Sequence, residues 1–359
     1  MKKSFYIFKP YSFDKSNHPS DYFDDRPSFS YGTKVIGWIG ARGIGKTFKA
    51  KKYCIRNFIE HNIMFVWLRD SEEARKKLAS NNGAKFFSDV PKMKLPYKVS
   101  GVIVGETIRI NGKTAGYLMP SSTFQNYKGN DYDLIQIIVV DEFIAEKNRS
   151  NRGSRSWEMI NSLYTIARLK KMKKILFLAN ALERGDETLQ FLGLKIKDFG
   201  LYINRDKDVC FHYCDNSPAY NKMREESTMG RLIKGTAFED NLFNNKFSDD
   251  ENLFYDKRPS LCKLQMILED DENSIRIYSN ADGKLYICHD FSLKARDDVR
   301  YTTDYKYVDT RHALLSKPLK DVIVLAYTNK LCMFDNAFTK NSFIRMTQGK
   351  SQQSKKSGS

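Results

Sequence analysis

The strongest constraint on how this chain folds is a glycine-rich segment, Gly40-Ala41-Arg42-Gly43-Ile44-Gly45-Lys46-Thr47. It fits the phosphate-binding loop pattern G-x-x-x-x-G-K-[ST] at every fixed position. The apolar run 35–39 before it predicts a short buried strand, and residues 48–60 after it predict a helix. A loop between a strand and a helix presents backbone N–H groups and the positive end of the helix to an anion. The segment therefore predicts a site for the phosphates of a nucleotide.

Each position of this loop has an expected role. The backbone that runs from Gly40 to Gly45 is expected to close around the phosphates, and it includes Ala41, Arg42, Gly43 and Ile44. Lys46 is expected to reach the β- and γ-phosphates, and the hydroxyl of Thr47 is expected to bind Mg²⁺. The loop alone does not indicate what the phosphate chemistry is used for.

The acidic pair Asp141-Glu142 indicates that use, because it directly follows the apolar run 135–140. A carboxylate at the end of such a strand holds Mg²⁺ through its water shell, and we expect Asp141 to do this. Glu142 is expected to accept a proton from the attacking water. An acid at this second position is typical of motor ATPases and not of most nucleotide kinases or GTPase switches. The predicted activity is therefore ATP hydrolysis, with ATP and Mg²⁺ as cofactors.

Two further positions each have two interpretations. Asn180 follows the next apolar run, 175–179, where a polar side chain either senses the γ-phosphate or only ends the strand as a turn residue. Arg168 lies near the end of the amphipathic segment 157–169. It is either an arginine finger that completes the site of an adjoining subunit or a solvated basic residue at a helix C-terminus.

The pattern of apolar runs predicts the fold class. Near-continuous apolar segments such as 63–68 and 135–140 alternate with helical segments, the first of which has Ser71 as its expected N-cap. Asn111-Gly112-Lys113 is a hairpin turn signal between two strand-like segments. These features predict an α/β P-loop NTPase whose mainly parallel sheet is covered by helices.

The length of 359 residues predicts more than one domain. Prolines near the N-terminus interrupt any regular element there, and the chain becomes polar beyond residue 204 before strand-like segments return. The expected organisation is an irregular N-terminal arm (1–32), a P-loop ATPase domain (33–200), a linker region (201–245), a smaller α+β C-terminal domain (246–346) and a disordered tail (347–359).

The net charge of +17 is unevenly distributed along the chain. Residues 1–200 contain 35 Lys and Arg against 20 Asp and Glu, so most of the excess belongs to the predicted ATPase domain. Such an excess favours a polyanion such as nucleic acid as the partner, although it also fits greater solubility or an acidic protein partner. The six scattered cysteines are typical of reduced cytosolic thiols, and no apolar run predicts a secretory signal or a membrane span.

The sequence resembles the genome-packaging motor ATPases of small tailed phages with protein-primed linear DNA. These are P-loop ATPases of the additional-strand, catalytic-glutamate branch, near the FtsK/HerA translocases. Four segments carry the resemblance, which extends over about residues 30–290: Gly40 to Lys46, Val140-Asp141-Glu142-Phe143-Ile144, Ala179-Asn180-Ala181 and Gly230-Arg231-Leu232-Ile233-Lys234-Gly235-Thr236.

The resemblance implies a homomeric ring, expected to be a pentamer, that drives double-stranded DNA into a procapsid. It also implies a portal or connector as partner, with a packaging RNA between the portal and the ATPase, and no membrane partner. The expected location is the host cytoplasm and, transiently, the portal vertex. By position, Arg168 corresponds to a finger acting in trans, Lys128 to a second trans-acting cation and Asn180 to a sensor. Arg69 is expected to face the nucleotide.

The resemblance further implies a C-terminal domain that is similar to an RNase H-like nuclease and has lost its metal site. Cleavage with two metals needs several carboxylates that converge on the ions. The candidate acids of this region are Asp256, Glu269, Asp270, Asp271, Asp282 and Asp290. Their clustering in turns, as in Glu269-Asp270-Asp271-Glu272, favours solvated loops. We therefore expect no nuclease activity.

Three alternatives stay open on sequence grounds. The chain is compatible with another DNA-directed ATPase, such as a helicase or a conjugative DNA pump, and with a P-loop scaffold that binds nucleotide without turnover. Cys210, His212 and Cys214, together with Cys288-His289, suggest a zinc site, but strand alternation also explains the spacing of the first three.

Overall fold

A computed structural model describes residues 6–10, 23–122, 132–144, 152–168, 171–180, 186–236, 253–255, 258–270, 274–289 and 300–348. The chain divides into two compact units, Met1–Ser248 and Asp249–Ser359. Within the described ranges, no helix has the length and the apolar character needed to cross a membrane.

The strands of the first unit are β1 (Tyr6–Pro10), β2 (Val35–Gly40), β3 (Met64–Arg69), β4 (Gly101–Val104), β5 (Thr107–Ile110), β6 (Lys113–Pro120), β7 (Ile135–Asp141), β8 (Lys174–Asn180), β9 (Gly200–Asn204) and β10 (Val209–Tyr213). They form one sheet in the order β1-β9-β10-β2-β8-β7-β3-β6-β5-β4. The central strands from β10 to β6 are parallel, and antiparallel strands close both edges. The predicted mainly parallel sheet is therefore confirmed.

Helices connect these strands: α1 (Arg26–Phe29), α2 (Lys46–His61), α3 (Glu72–Phe87), α4 (Arg152–Ala167), α5 (Glu187–Phe191), α6 (Pro218–Glu226) and α7 (Thr228–Ile233). The main core forms where α2 buries Cys54, Ile55 and Phe58 in the same cluster as Trp38 and Trp67. Burial of these large apolar side chains fixes α2, and with it the loop that precedes α2, against the centre of the sheet.

Two local predictions are confirmed in detail. The hydroxyl of Ser71 accepts a hydrogen bond from the N–H of Ala74 over 3.3 Å, as an N-cap should. Asn111 and Gly112 have φ of 50° and 79°, so they form the two-residue left-handed turn that joins β5 to β6.

The predicted linker is wrong for residues 201–213. These residues contribute to β9 and β10, which are buried throughout, and β10 pairs in parallel with β2. The four residues between the two strands, 205–208, are all charged and exposed. Because these four charged residues make the whole segment look polar, they conceal the one short strand on each side of them.

The irregular N-terminal arm is also wrong where the structure describes it. Residues 6–10 form β1, which pairs antiparallel with β9 at the edge of the sheet. Pro10 is the last residue of that edge strand, where the lack of an N–H is tolerated. Phe23 is fully buried, with its ring centroid 5.3 Å from that of Trp38. Phe23 therefore belongs to the core, whereas Phe8 of β1 is exposed.

The second unit contains β11 (Lys263–Glu269), β12 (Ser274–Ser279), β13 (Leu285–His289), β14 (Arg300–Thr302), β15 (His312–Leu314) and β16 (Cys332–Phe334), with helices α8 (Lys317–Thr328) and α9 (Ala337–Gln348). Its sheet has the order β15-β14-β11-β12-β13-β16. Strands β11, β12 and β13 pair antiparallel, and the remaining strands join them in parallel.

The core of this unit includes Ile323, Phe334 and Phe343. The boundary of the predicted tail is wrong by two residues, because Thr347 and Gln348 still belong to α9 and Thr347 is buried. Residues 349–359 lie outside the described ranges.

Gly37→Ala is expected to destabilise the first unit. An added Cβ at Gly37 would lie 2.3 Å from the buried ring of Phe211 on the neighbouring strand β10. Overpacking of this kind costs about 1–3 kcal/mol. Urea unfolding followed by tryptophan fluorescence measures the change, because Trp38 and Trp67 both lie in this core. Adding Phe211→Leu should recover part of the loss, and a Gly37→Ala variant as stable as the wild type would contradict the prediction.

Candidate nucleotide-binding site

The site forms where three neighbouring parallel strands end. The phosphate-binding loop leaves β2 at Gly40, Asn180 ends β8, and Asp141 ends β7. Gly40 pairs with Asn180 across β2 and β8, and Asp141 pairs with Leu178 across β7 and β8. Since adjacent strands lie about 4.8 Å apart, these polar groups meet where the C-terminal ends of the central strands lie side by side.

The loop conformation depends on two glycines. Gly43 and Gly45 have φ of 83° and 93°, which side chains with a Cβ rarely adopt. Ile44 between them buries its side chain in the core, so only its backbone is available to a phosphate. These conformations wrap the loop over the first turn of α2.

Lys46 is buried at the first position of α2, and oxygen atoms surround its ammonium group. Its Nζ donates to the carbonyls of Gly40 (2.9 Å) and Ala41 (2.7 Å) and to Oδ1 of Asn180 (3.3 Å). Burial lowers its pKa to about 8, although the negative charges of Asp141 and Glu142 oppose this shift. The Lys46 cation is therefore held in place at the base of the loop.

A cavity of ≈ 470 Å³ opens above this lysine. Its lining includes the following residues that the sequence assigned to the site: Arg42, Gly43, Gly45, Lys46, Thr47, Asp141, Glu142 and Asn180. Thr47 and Asp141 therefore share one cavity, and their oxygen atoms are the ligands that Mg²⁺ prefers. The donor set fits a magnesium-bound nucleotide.

The lining also contains residues that the sequence analysis missed, among them Phe48, Asp89 and Lys92. The Asp89 carboxylate also forms an ion pair with the buried Lys51 of α2, with 3.1 Å between Nζ and Oδ2. Asp89 and Lys92 lie in the connection after α3, and no motif there marks them as site residues. Only the packing of that connection against α2 brings them to the cavity.

The two carboxylates at the end of β7 have different environments. Asp141 is 5% exposed, and its Oδ2 accepts from Arg69 Nη1 (2.7 Å) and from the indole N–H of Trp67 (3.3 Å). The Glu142 side chain is 53% exposed, and its Oε2 accepts from Arg69 Nη2 over 2.7 Å. Arg69 thus holds both acids at once, and their charges keep its pKa above its ordinary value despite burial.

Glu142 also has an unusual backbone conformation. Its φ of 60° lies in the left-handed region, which costs a residue with a Cβ about 1–3 kcal/mol. Such strained positions cluster at functional sites, where the surrounding structure enforces them. The conformation turns the chain directly after Asp141, so that both neighbouring acids line the same cavity.

Of the two predicted trans-acting residues, the structure describes only Arg168. Arg168 is exposed at the end of α4 and does not line the cavity. Lys128 lies outside the described residues. Arg69, which was expected to face the nucleotide, contacts Asp141 and Glu142. These two acids line the cavity, and Arg69 does not.

The other candidate metal ligands belong to both units of the chain. Within the part of the chain that the structure describes, no three His, Cys, Asp or Glu residues are grouped so as to hold a metal ion. Cys210 and His212 are buried in β10 between paired strands, and Cys214 follows that strand. Of the C-terminal acids, Glu269, Asp270 and Asp282 are described, whereas Asp256, Asp271, Glu272 and Asp290 lie outside the described residues.

Comparisons with known proteins agree on one family. A family model described as Podovirus DNA encapsidation protein (Gp16) matches residues 17–345. The DNA packaging protein of Bacillus phage phi29 is 27% identical over 333 residues, which cover 89% of this chain and 95% of that protein. The DNA packaging protein of Bacillus phage PZA is 26% identical over the same shares.

Two solved structures share the fold. The bacteriophage Phi-29 viral genome packaging motor assembly matches 92% of this chain and 99% of its own, with a TM-score of 0.68 and 24% identity. The Phi-28 gp11 DNA packaging motor matches 91% and 98%, with a TM-score of 0.63 and 15% identity. Because both identities are below 25%, these structures support the fold alone. The match to the family model shows the family to which the chain belongs.

Arg69→Leu is expected to lower the free energy of unfolding by about 3 kcal/mol, because it leaves the buried Asp141 carboxylate without its cation. Glu142→Gln is the matched control, since this exposed side chain keeps an oxygen for Arg69 and should change stability by less than about 1 kcal/mol. Urea unfolding at pH 7 measures both. Combining Arg69→Leu with Asp141→Asn should restore much of the loss, and an Arg69→Leu variant with wild-type stability would rule out the buried ion pair.

Proposed function

Because the chain belongs to the podovirus DNA encapsidation protein (Gp16) family, we propose that it is an ATPase that moves double-stranded DNA into a viral procapsid. One observation carries the proposal. The loop Gly40–Thr47, the acids Asp141 and Glu142, and Asn180 surround a single cavity in a chain of a DNA packaging family. A phosphate-binding loop together with an adjacent pair of acids supports hydrolysis of the bound triphosphate.

The residues divide the work of hydrolysis among them. The N–H groups of the loop and the ammonium group of Lys46 bind and orient the β- and γ-phosphates. Thr47 and Asp141 would hold Mg²⁺, which when bound neutralises charge that develops on the phosphates. Glu142 orients the attacking water and accepts its proton. Asn180, which already contacts Lys46, is placed to sense the γ-phosphate.

Arg69 also bears on this chemistry. Its 2.7 Å contact engages Oε2 of Glu142, so the attacking water competes with Arg69 for that oxygen. Because Glu142 is exposed and Asp141 is buried, the Glu142 contact is the weaker of the two. We therefore assign Arg69 a role in orienting Glu142 beside Asp141.

The assembly we propose is a homomeric ring, a pentamer, at the portal vertex of the procapsid in the host cytoplasm. Arg168 is exposed at the C-terminus of α4, which leaves it available to a neighbouring subunit, and we assign it the finger role. Lys128 is assigned the second trans-acting role on the sequence resemblance alone. A portal protein and a packaging RNA are the further partners, and grip on DNA is expected to be mainly electrostatic.

We further infer that the second unit does not cleave DNA. Two of the carboxylates that the structure describes there, Glu269 and Asp270, are engaged by cations of the same unit. Glu269 forms an ion pair with Arg300 and lies 3.6 Å from His312 Nε2, and Asp270 pairs with Arg345 over 3.0 Å. Two-metal cleavage needs several carboxylates that converge on the ions, whereas these two contact separate cations. This supports a nuclease-like unit that has no cleavage activity.

The alternative of another DNA-directed ATPase, a helicase or a conjugative pump, shares the same site. The family match favours packaging over both. Strand preference separates them, because a packaging motor should be stimulated by double-stranded DNA more than by single-stranded DNA.

Turnover of ATP with double-stranded DNA tests the proposal. Glu142→Gln is expected to lower kcat by about 100-fold or more because it removes the base, and Lys46→Ala is expected to abolish nucleotide binding. The matched controls, Glu73→Gln and Lys113→Ala, change exposed residues away from the cavity and should leave turnover intact. Wild-type turnover in Lys46→Ala would disprove an ATPase of this kind. Absence of DNA stimulation at every salt concentration would disprove a DNA motor.

The lowered pKa of Lys46 predicts a pH dependence of nucleotide binding. The ammonium charge that attracts phosphate is present below pH 8 and is lost as the pH rises through the pKa of about 8. The affinity for ADP should therefore fall above pH 8, by up to about tenfold per pH unit. In Lys46→Arg the charge persists, so that binding, although weaker, should not change between pH 7 and pH 9.5. Calorimetry measures both, and parallel pH profiles would contradict the assignment.

A further inference from the structure

The phosphate-binding loop is contacted from outside the nucleotide cavity by a side chain that no motif marks. Tyr220 lies in the first turn of α6, and α6 follows β10, the strand that pairs with β2. Its hydroxyl donates to the carbonyl of Arg42 over 2.9 Å. The same oxygen lies 2.4 Å from the position that a Cβ would take at Gly43. Tyr220 therefore touches the Arg42–Gly43 peptide directly.

This contact determines the direction of one backbone N–H group. In a planar trans peptide the C=O and the following N–H point to opposite sides. When Tyr220 holds the Arg42 carbonyl on its side, the N–H of Gly43 points away from Tyr220. Arg42 and Gly43 line the nucleotide cavity, and phosphates are bound there through N–H groups. The tyrosine thus fixes a donor before any ligand arrives.

Tyr220 is itself held by the residues around it. Ser217 caps α6 by accepting from the N–H of Tyr220 over 3.1 Å. The guanidinium of Arg224 lies 5.3 Å from the centroid of the Tyr220 ring, within the range of a cation–π contact. The ring also packs against the main core. Its hydroxyl therefore has a defined position relative to the loop.

Helix α7, which follows α6, contains the segment Gly230-Arg231-Leu232-Ile233, to which the proposed mechanism assigns no role. A Cβ at Gly230 would lie 1.9 Å from the carbonyl oxygen of Arg224, so α7 packs directly on the end of α6. The N–H of Gly230 donates to the hydroxyl of Ser227 between the two helices over 3.0 Å. Glycine is required here by close approach, and the approach links α7 through α6 to the loop.

We propose that Tyr220 is a positioning residue for nucleotide phosphates, and that α6 and α7 form with it one element that responds when the loop is occupied. The inference rests on the proposed nucleotide binding and deepens it. Phosphate that binds the N–H of Gly43 strengthens the hydrogen-bonding of the same peptide to Tyr220. Occupancy of the loop therefore stabilises α6 and α7.

Tyr220→Phe tests the positioning role, because it removes the hydroxyl and keeps the ring. Loss of one hydrogen bond that aligns the loop should raise the KM for ATP and the dissociation constant of ADP about three- to tenfold, with kcat within about twofold of wild type. Tyr305→Phe, at an exposed tyrosine of the other unit, is the matched control and should change neither value. A lower kcat at unchanged KM would indicate a merely structural role and would overturn the inference.

Hydrogen exchange of the full-length protein tests the connected element. In the wild type, ADP should slow exchange both in the loop at 40–47 and in the helices at 218–233. In Tyr220→Phe, the loop should remain protected by ADP while protection of the helices is lost. Gly230→Ala, which separates α6 from α7, should also raise the KM. Equal protection of the helices in wild type and Tyr220→Phe would overturn the coupling.

Different results would disprove the nucleotide site and the role of Tyr220. If Lys46→Ala binds ADP as well as wild type, the proposed nucleotide site is wrong and the role of Tyr220 falls with it. If Lys46→Ala loses binding while Tyr220→Phe matches wild type in KM, ADP affinity and exchange, the nucleotide site stands and only the present inference is wrong.

Discussion

The buried ammonium group of Lys46 is the interaction on which the rest of the site depends. A buried cation is costly unless polar groups surround it, and here two loop carbonyls and the Asn180 side chain do so. Those three oxygens come from two adjacent strands, so the lysine joins the loop after β2 to the end of β8. The cavity above it retains its shape because its base is hydrogen-bonded. The same burial lowers the lysine pKa and makes its charge sensitive to pH near 8.

Arg69 performs a comparable function for the acids on the next strand. It bridges a buried and an exposed carboxylate, and these two contacts differ in strength because water competes only for the exposed one. The arrangement keeps Asp141 fixed while Glu142 can be released. Together with the strained backbone of Glu142, this distinguishes the buried position proposed to bind metal from the exposed position next to it that is proposed to act as the base.

The first unit connects these groups to its surface through short elements. Tyr220 contacts the loop from outside the cavity, and Asp89 and Lys92 line the cavity from the connection after α3. Neither contribution belongs to a recognised motif. Both follow from which elements pack beside the loop, so changes far along the chain can alter how the phosphates are held.

Local sequence patterns determined the loop, the acidic pair, the Ser71 cap, the Asn111-Gly112 turn and the strands on which they lie. These features depend on neighbouring residues, whose spacing sets hydrogen bonding and φ directly. The tertiary structure alone decided which distant groups meet. Lys46 and Asn180 are 134 residues apart, Arg69 and Asp141 are 72 apart, and Tyr220 and Arg42 are 178 apart. These pairs depend on the strand order β10-β2-β8-β7-β3, which arises from competition among all buried strands for neighbours and is not written in any short segment. The same holds for β9 and β10. Their apolar runs are short, and it is pairing with neighbouring strands of the sheet that makes these runs β-strands.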